Sequence, residues 1–241
     1  MRMRRMKSGS VARILGALLG IGIVSAAWAA DPFERHSPGA SREVTPPRLS
    51  VPGLSDQTLT IALRAYARAR ERGDITRPLL SIIDYALPST EKRLWVLDLE
   101  RGRVLFHELV AHGEQSGENE AHAFSNDAGS HQSSLGVFRT GAEYKGDHGV
   151  ALRLDGLEPG INDRAVERAI VMHGADYVSE QFAARFGRIG RSFGCPAVRP
   201  AIADSLIHTI CGGTLLFASY PDSAYTVHSA YAAPNSSFRD E

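Results

Sequence analysis

The residues with the clearest capacity for chemistry are a histidine and a cysteine that lie 22 positions apart, each beside a glycine. His173 ends the apolar segment 170–174 (IVMHG), and Cys195 lies in the segment 191–196 (RSFGCP). An imidazole within hydrogen-bond reach of a thiol can take its proton and make a nucleophile suited to acyl transfer. Backbone amides around Gly194 and Cys195 could then stabilise a developing oxyanion. The pair predicts a cysteine-dependent acyl-transfer site.

The local context of each residue supports this interpretation. Gly174 allows a sharp turn and the close approach of a substrate behind His173. Cys195 precedes the last predicted helix, and we expect the positive end of that helix to favour the thiolate. Taken singly, a loop cysteine is more often a small buried hydrophobe and a histidine beside an apolar run is a core residue. The two together, in this order and spacing, favour catalysis.

The second cysteine and the other histidines give weaker signals. Cys211 shares a helical face with Ala203, Leu206, Ile207 and Ile210 and is interpreted as a core residue, although a Cys195–Cys211 disulfide remains an alternative. A metal site is a further alternative, because several histidines surround a polar stretch that also holds two aspartates. They lack the dense ligand spacing of H-E-x-x-H, so a zinc peptidase is disfavoured; the residues concerned are His112, His122, His131, His148, Asp127 and Asp147.

The elements that must position these residues are mostly strands. Apolar runs predict strands at 79–87, 93–99, 104–111, 135–140, 150–154, 169–172 and 214–219. Short helices are predicted at 162–167, 177–186 and 200–211, and 113–134 is predicted to be a long functional loop. The result is a mainly β fold, a sandwich or barrel with short flanking helices.

The termini differ in character from the middle of the chain. Residues 1–29 hold five basic residues and no acid, then an apolar run ending in Ala-Trp-Ala, which is the order of a secretory signal peptide. Export by the general or the twin-arginine route stays open. The chain has 241 residues, 43% of them hydrophobic and 22% charged. The chain after residue 29 contains 22 of the 27 basic residues and all 27 acidic residues, which gives it a net charge of −5. This negative charge disfavours nucleic-acid binding.

The predicted organisation has five parts. They are a signal peptide (1–29), a proline-rich linker (30–54), an N-terminal helix capped by Ser55 (55–78), a catalytic domain (79–220) and a polar C-terminal tail (221–241). The apolar run of the signal is too short for a comfortable membrane span, so we expect cleavage after Ala29 and no stable membrane insertion. The expected location is the periplasm or cell envelope.

With these residues in place, the sequence resembles the murein L,D-transpeptidases, the YkuD-like family. That family carries H-G upstream of an S-H-G-C motif, and His173-Gly174 with Ser192, Gly194 and Cys195 match all but one position. The segment 133–138 (SSLGVF) resembles the family's T-P-x-G-x-F segment with both leading residues altered. The stretches 124–126 and 154–157 also resemble a murein subgroup, and the resemblance spans roughly residues 79–220.

The resemblance implies an enzyme that needs no metal or organic cofactor and acts on peptidoglycan stem tetrapeptides. Cys195 is then the nucleophile and His173 the base, while Ser192 orients the loop and Gly194 contributes to the oxyanion site. The thioester is resolved by the amine of a second stem, giving a cross-link, or by water, giving a trimmed stem. Gly174, Arg191, Phe193, Ser134 and Arg199 are the candidate substrate-binding residues, the two arginines for a stem carboxylate.

Two departures keep alternatives open. Phe193 stands where the family motif has histidine. The family often has an arginine or asparagine two residues after the cysteine, whereas here Val198 and Arg199 follow Pro196-Ala197. Phe193 and the altered Ser133-Ser134 pair leave a catalytically idle wall-binding module as one alternative function. A hydrolytic L,D-carboxypeptidase is the other, because the sequence does not separate hydrolysis from transpeptidation. Protein partners are not predicted.

Overall fold

The structure is a computed structural model and describes residues 51–146 and 149–234. The predicted signal peptide and most of the predicted linker lie outside the described residues. No helix among the described residues is long and apolar enough to cross a membrane. At the end of the predicted linker, Val51 and Leu54 are buried against the domain that follows.

Among residues 51–146 and 149–234, one nine-stranded sheet forms the body of the domain. Its strand order is β3-β2-β1-β9-β5-β6-β7-β8-β4; β1 pairs with β9 and β7 with β8 in parallel, and the other neighbouring pairs of these strands are antiparallel. The strands are β1 Leu79–Asp84, β2 Leu94–Asp98, β3 Arg103–Glu108, β4 Val110–Ala111, β5 Gly136–Gly146, β6 Gly149–Gly156, β7 Val171–Gly174, β8 Ala197–Val198 and β9 Leu215–Ser219.

The sheet is nearly closed on itself. β3 and β4 lie at opposite ends of the strand order, yet a single residue, Leu109, separates them in the chain. One residue spans at most about 3.6 Å, so the two ends of the sheet must come close together. The predicted mainly β sandwich or barrel with flanking helices is confirmed, and the predicted strand 104–111 is divided into β3 and β4.

Within the described part of the chain, four helices flank the sheet: α1 Asp56–Arg72, α2 Glu180–Phe186, α3 Pro200–Ile210 and α4 Ser223–His228. The Ser55 side chain caps α1 by accepting from the Thr58 amide, and Gly73 ends it in the left-handed region. The buried face of α1 consists mainly of alanines, which let its backbone approach β1 and β9 closely. α3 buries Leu206, Ile207 and Ile210 and packs against β7 and β6.

Two segments differ from the sequence-based expectations. The predicted helix 162–167 is a series of turns, in which the Asn162 side chain accepts from the Glu158 amide and donates to the Leu135 and Val137 carbonyls. The predicted polar tail contains α4, and Tyr225 and Tyr231 from it are buried. Tyr231 donates to Asp74 at 2.8 Å, which fastens this segment to the end of α1.

Candidate active site

His173 and Cys195 line the same cavity, which has a volume of about 430 Å³. Arg191, Ser192 and Phe193 contribute to its wall from the cysteine side. A larger hollow of about 560 Å³ beside α4 contains neither the thiol nor the imidazole. The smaller cavity is therefore the candidate active site.

The position of His173 follows from the pleat of β7. Side chains alternate across a strand, so Val171 and His173 share one face and Met172 takes the other. Met172 is fully buried in the core, whereas Val171 and His173 are half-buried and line the cavity. The parallel register pairs His173 with Ala197, two residues after Cys195, and this pairing brings the two reactive side chains together.

A backbone carbonyl sets the tautomer of His173. Its Nδ1 lies 2.9 Å from the Gly174 carbonyl oxygen. A carbonyl oxygen only accepts, so Nδ1 carries the hydrogen and donates it, and in the neutral ring the lone pair is on Nε2. The imidazole is thereby prepared to take a proton at Nε2, as a general base must.

The turn before Cys195 is built around Ser192. The Ser192 hydroxyl donates to the Cys195 carbonyl at 2.6 Å and accepts from the Gly194 amide at 3.1 Å. Gly194 has a φ of +116°, and a Cβ there would stand 2.8 Å from the Gln132 carbonyl oxygen. This combination of backbone conformation and crowding explains the need for glycine at position 194.

The sulfur of Cys195 is half-buried among backbone groups of the segment before β7. The Val171 amide donates to it at 3.5 Å, and its own S–H points to the Ala169 carbonyl at 3.7 Å. Burial raises the pKa of the Cys195 thiol, while the Val171 amide and the charge of Arg168 oppose that rise. The thiol is therefore the resting form at neutral pH, and the base must act during the attack.

Two details of the expected activation are wrong. The Gly194 amide donates to Ser192, so it is not directed at an oxyanion; the Cys195 amide has no acceptor among the described residues and is the better candidate donor. β8 and the cap residue Arg199 separate Cys195 from the start of α3. The dipole of that helix consequently does not act directly on the thiol, because its effect is confined to the first turn.

The structure places two of the candidate substrate-binding residues at the cavity. Phe193 is 67% exposed and stacks on His131, with ring centroids 4.3 Å apart. Arg191 also lines the cavity, but its Nη1 donates to the Gly117 carbonyl and to the Glu118 carboxylate, both at 2.8 Å. Arg191 thus fastens the 113–134 loop to the cysteine segment.

The other three candidates lie outside the cavity wall. Gly174 is buried, and a Cβ on it would stand 3.0 Å from Ala203, so its close approach is to α3 and not to a substrate. Ser134 is buried and donates to the Ser125 carbonyl. The Arg199 guanidinium binds the Glu108 carboxylate at 2.6 and 2.9 Å. Their surroundings give these residues packing roles.

His112 is buried near the site, and its imidazole is neutral. Its Nδ1 accepts from Arg93 at 2.7 Å, and its Nε2 donates to the Gly117 carbonyl at 3.3 Å. Burial, followed by the charge of Arg93, lowers the pKa of His112 to about 4. Burial also lowers the pKa of Arg93 to about 10, which leaves it a cation at neutral pH.

This buried imidazole predicts a loss of stability in mild acid. Above the ordinary histidine pKa of about 6.5, His112 is neutral in both the folded and the unfolded protein. Below that pH the unfolded chain binds the proton first, so the free energy of unfolding falls until the pH reaches the pKa of His112 in the folded protein. Between pH 7.5 and 5, His112 alone is expected to lower the free energy of unfolding by about 2 kcal/mol. Urea titrations of the wild type and His112→Asn measure this. An equal acid loss in both proteins would contradict the assignment.

The alternative of a metal site is not supported by any cluster of ligand side chains in the part of the chain that the structure describes. No group of three or more histidine, cysteine, aspartate or glutamate side chains there is arranged to hold a metal ion. Asp147 and His148 lie outside the described residues. Both cysteines are free thiols, so the structure does not contain the alternative Cys195–Cys211 disulfide.

Sequence reasoning missed several residues around the cavity. Tyr144 and Tyr177 line it, and the buried Tyr85 lies within electrostatic reach of Cys195. Burial raises the pKa of Tyr177 to about 12, so this phenol is neutral at physiological pH. Arg168 lies beside the cysteine turn. Its position directly before the apolar strand of His173 was the only signal available in the sequence.

The family model for the L,D-transpeptidase catalytic domain (YkuD_2) matches residues 50–219. The chain therefore belongs to the L,D-transpeptidase catalytic domain family, as the resemblance predicted. No curated protein matches the chain.

Several solved structures are also similar to this chain, L,D-transpeptidases among them. An L,D-transpeptidase from Mycobacterium smegmatis is 14% identical with a TM-score of 0.36, and the match covers 59% of each chain. One from Stackebrandtia nassauensis is 15% identical, TM-score 0.37, covering 70% of this chain and 69% of its own. The helical cell shape determining protein Pgp2 of Campylobacter jejuni is 12% identical, TM-score 0.39, covering 70% and 58%. The chain thus spans less than two thirds of the first and the third.

Proposed function

We propose that the protein is an exported L,D-transpeptidase that acts on peptidoglycan stem tetrapeptides through a thioester on Cys195. The observation that carries the proposal is the presence of Cys195 and His173 on one cavity, with His173 Nδ1 held by the Gly174 carbonyl. Membership of the L,D-transpeptidase catalytic domain family supports the substrate class.

The proposed acylation begins with transfer of the thiol proton to Nε2 of His173 while the sulfur attacks the carbonyl carbon of the third stem residue. The tetrahedral oxyanion accepts a hydrogen bond from the Cys195 amide. The intermediate collapses with cleavage of the amide bond. His173 returns its proton to the departing amine, and D-alanine leaves.

Deacylation reverses the roles. The side-chain amine of a second stem gives up a proton to His173 and attacks the thioester, which forms a new amide and restores the thiol. Water in place of the amine gives a tripeptide instead. The exposed Phe193 and the two tyrosines provide an apolar wall around the acyl chain, which limits the access of water.

The experiment that tests this function uses the mature protein and purified disaccharide-tetrapeptide, with products separated and weighed by mass spectrometry. Release of D-alanine with formation of a dimer supports transpeptidation. Tripeptide without dimer would replace it with L,D-carboxypeptidation, and unchanged substrate would favour the idle wall-binding module.

Export is proposed on the sequence of residues 1–29. In cells that express the whole chain, the protein is expected in the periplasmic fraction with Ala30 as its first residue, as determined by N-terminal sequencing. An intact N-terminus in the cytoplasmic fraction would contradict the proposal.

A further inference from the structure

An arginine that lies outside the cavity wall joins the 113–134 loop to the cysteine turn. Arg168 Nη1 donates to the Ser125 carbonyl and to the Ser134 hydroxyl, both at 2.6 Å. Its Nη2 donates to the Gln132 carbonyl at 2.6 Å and to the Ser130 hydroxyl at 3.1 Å. One guanidinium thus binds four acceptors within residues 125–134.

The same guanidinium contacts the turn that carries the nucleophile. Its Nη2 lies 3.3 Å from the point where a Cβ on Gly194 would stand, and the Gln132 carbonyl lies 2.8 Å from that point. The absence of a side chain at Gly194 therefore makes room for Arg168 and its partner. Arg168 also precedes Ala169, whose carbonyl faces the sulfur of Cys195.

The charge of Arg168 is not neutralised by a close carboxylate. All four acceptors are neutral groups, and the ion pairs among residues 51–146 and 149–234 do not include it. Asp127 and Arg164 act on it only at longer range. In a half-buried setting of low dielectric, a cation held by neutral dipoles keeps much of its field.

We propose that Arg168 is a positioning residue that fastens segment 125–134 against the cysteine turn and holds a positive charge beside the developing thiolate. The inference rests on the proposed role of Cys195 as a nucleophile. The other titratable or charged groups around the sulfur, among the described residues, are His173, Tyr85, Tyr144, Tyr177 and Arg191. Tyr85 and Tyr177 are neutral at physiological pH because burial raises the pKa of each. Arg191 pairs with the Glu118 carboxylate, so Arg168 is the cation beside the sulfur that has no carboxylate partner among the described residues.

The test measures the rate of alkylation of Cys195 by iodoacetamide from pH 7 to 11.5, a range that extends well above the raised pKa of this thiol, followed by peptide mass, with Cys211 as the internal reference thiol. In Arg168→Gln the midpoint is expected to rise by about one pH unit, so that alkylation at pH 7 slows about tenfold. Arg139→Gln is the control, because Arg139 pairs with Asp155 on the neighbouring strand, outside segment 125–134 and outside the cavity wall. Its midpoint is expected to stay at the wild-type value.

A purely structural role predicts a different result. If Arg168 only ordered the loop, its removal would expose the sulfur and raise the rate at every pH. The midpoint would then stay unchanged or fall, because less burial lowers the pKa of the thiol, and either result would overturn the proposal. Arg168→Lys is the second variant and serves also if Arg168→Gln does not fold. It keeps the charge but cannot reach four acceptors, so its midpoint is expected to move by less than half a unit while protease cleavage within 125–134 accelerates severalfold.

In the lysine variant, wild-type protease resistance would overturn the fastening role, and a midpoint shift of a full unit would overturn the role of the charge. Alkylation needs no wall substrate. The wild type could prove inactive on tetrapeptide while Arg168→Gln still shows a shifted alkylation midpoint. That combination would contradict the proposed function but not the role of Arg168, so the two failures are distinguishable.

Discussion

Replacing Cys195 with alanine is expected to abolish the release of D-alanine from disaccharide-tetrapeptide, with kcat/KM falling by about 10⁴-fold or more. No other nucleophile replaces a lost thiol in covalent catalysis, and removal of a nucleophile has effects of this size in comparable enzymes. The half-buried position of the side chain means that alanine leaves only a small void. Thermal unfolding is therefore expected to change little, which separates lost chemistry from lost folding.

Cys211→Ser is the matched control for that substitution. Cys211 is also half-buried, but it lies at the end of α3, where its thiol donates to the His208 carbonyl at 3.4 Å. Activity within threefold of the wild type is expected. Comparable losses from Cys195→Ala and Cys211→Ser would contradict a nucleophilic role specific to Cys195.

Replacing His173 with alanine is the second large expected effect. A general acid and base contributes about 10²- to 10⁴-fold, so kcat/KM for D-alanine release is expected to fall within that range while the fold is retained. Burial raises the pKa of the Cys195 thiol, which makes the reaction dependent on a base at neutral pH. The measurement is the steady-state rate of D-alanine release at saturating and at low tetrapeptide concentration.

His208→Ala is the control histidine. It is exposed on α3 and pairs with Glu143 at 3.5 Å, away from the cavity. Its rate is expected to match the wild type. A His173→Ala enzyme with more than a third of wild-type kcat/KM would contradict its assignment as the base.

The sequence was most informative where the physics is local. Ser55 as a helix cap was predictable because a cap acts on its own turn, whereas the predicted segment 55–78 extends past the end of the helix at Arg72. The proximity of His173 and Cys195 was predictable only from the order and spacing of the two motifs that contain them. The parallel pairing of β7 with β8 brings them to one cavity. It joins segments that are distant in the chain, and the hydrophobic periodicity of the sequence does not predict such a pairing.

The errors have identifiable physical causes. β8 has only two residues, so its apolar pattern was too short to detect, and the distance from Cys195 to α3 was consequently underestimated. Tyr225 and Tyr231 lie in a polar stretch whose average composition conceals two anchoring rings. Arg199 and Arg168 have the same charge in the sequence. Their partners, a carboxylate for one and four neutral acceptors for the other, come only from tertiary contacts.

The most direct test of the central claim is to trap the acyl-enzyme. Mature protein mixed with disaccharide-tetrapeptide, quenched in acid within seconds and weighed intact should gain the mass of the substrate less D-alanine, and peptide mapping should place that mass on Cys195. Product formation without any such adduct in the wild type, or an adduct on a different side chain, would contradict the account.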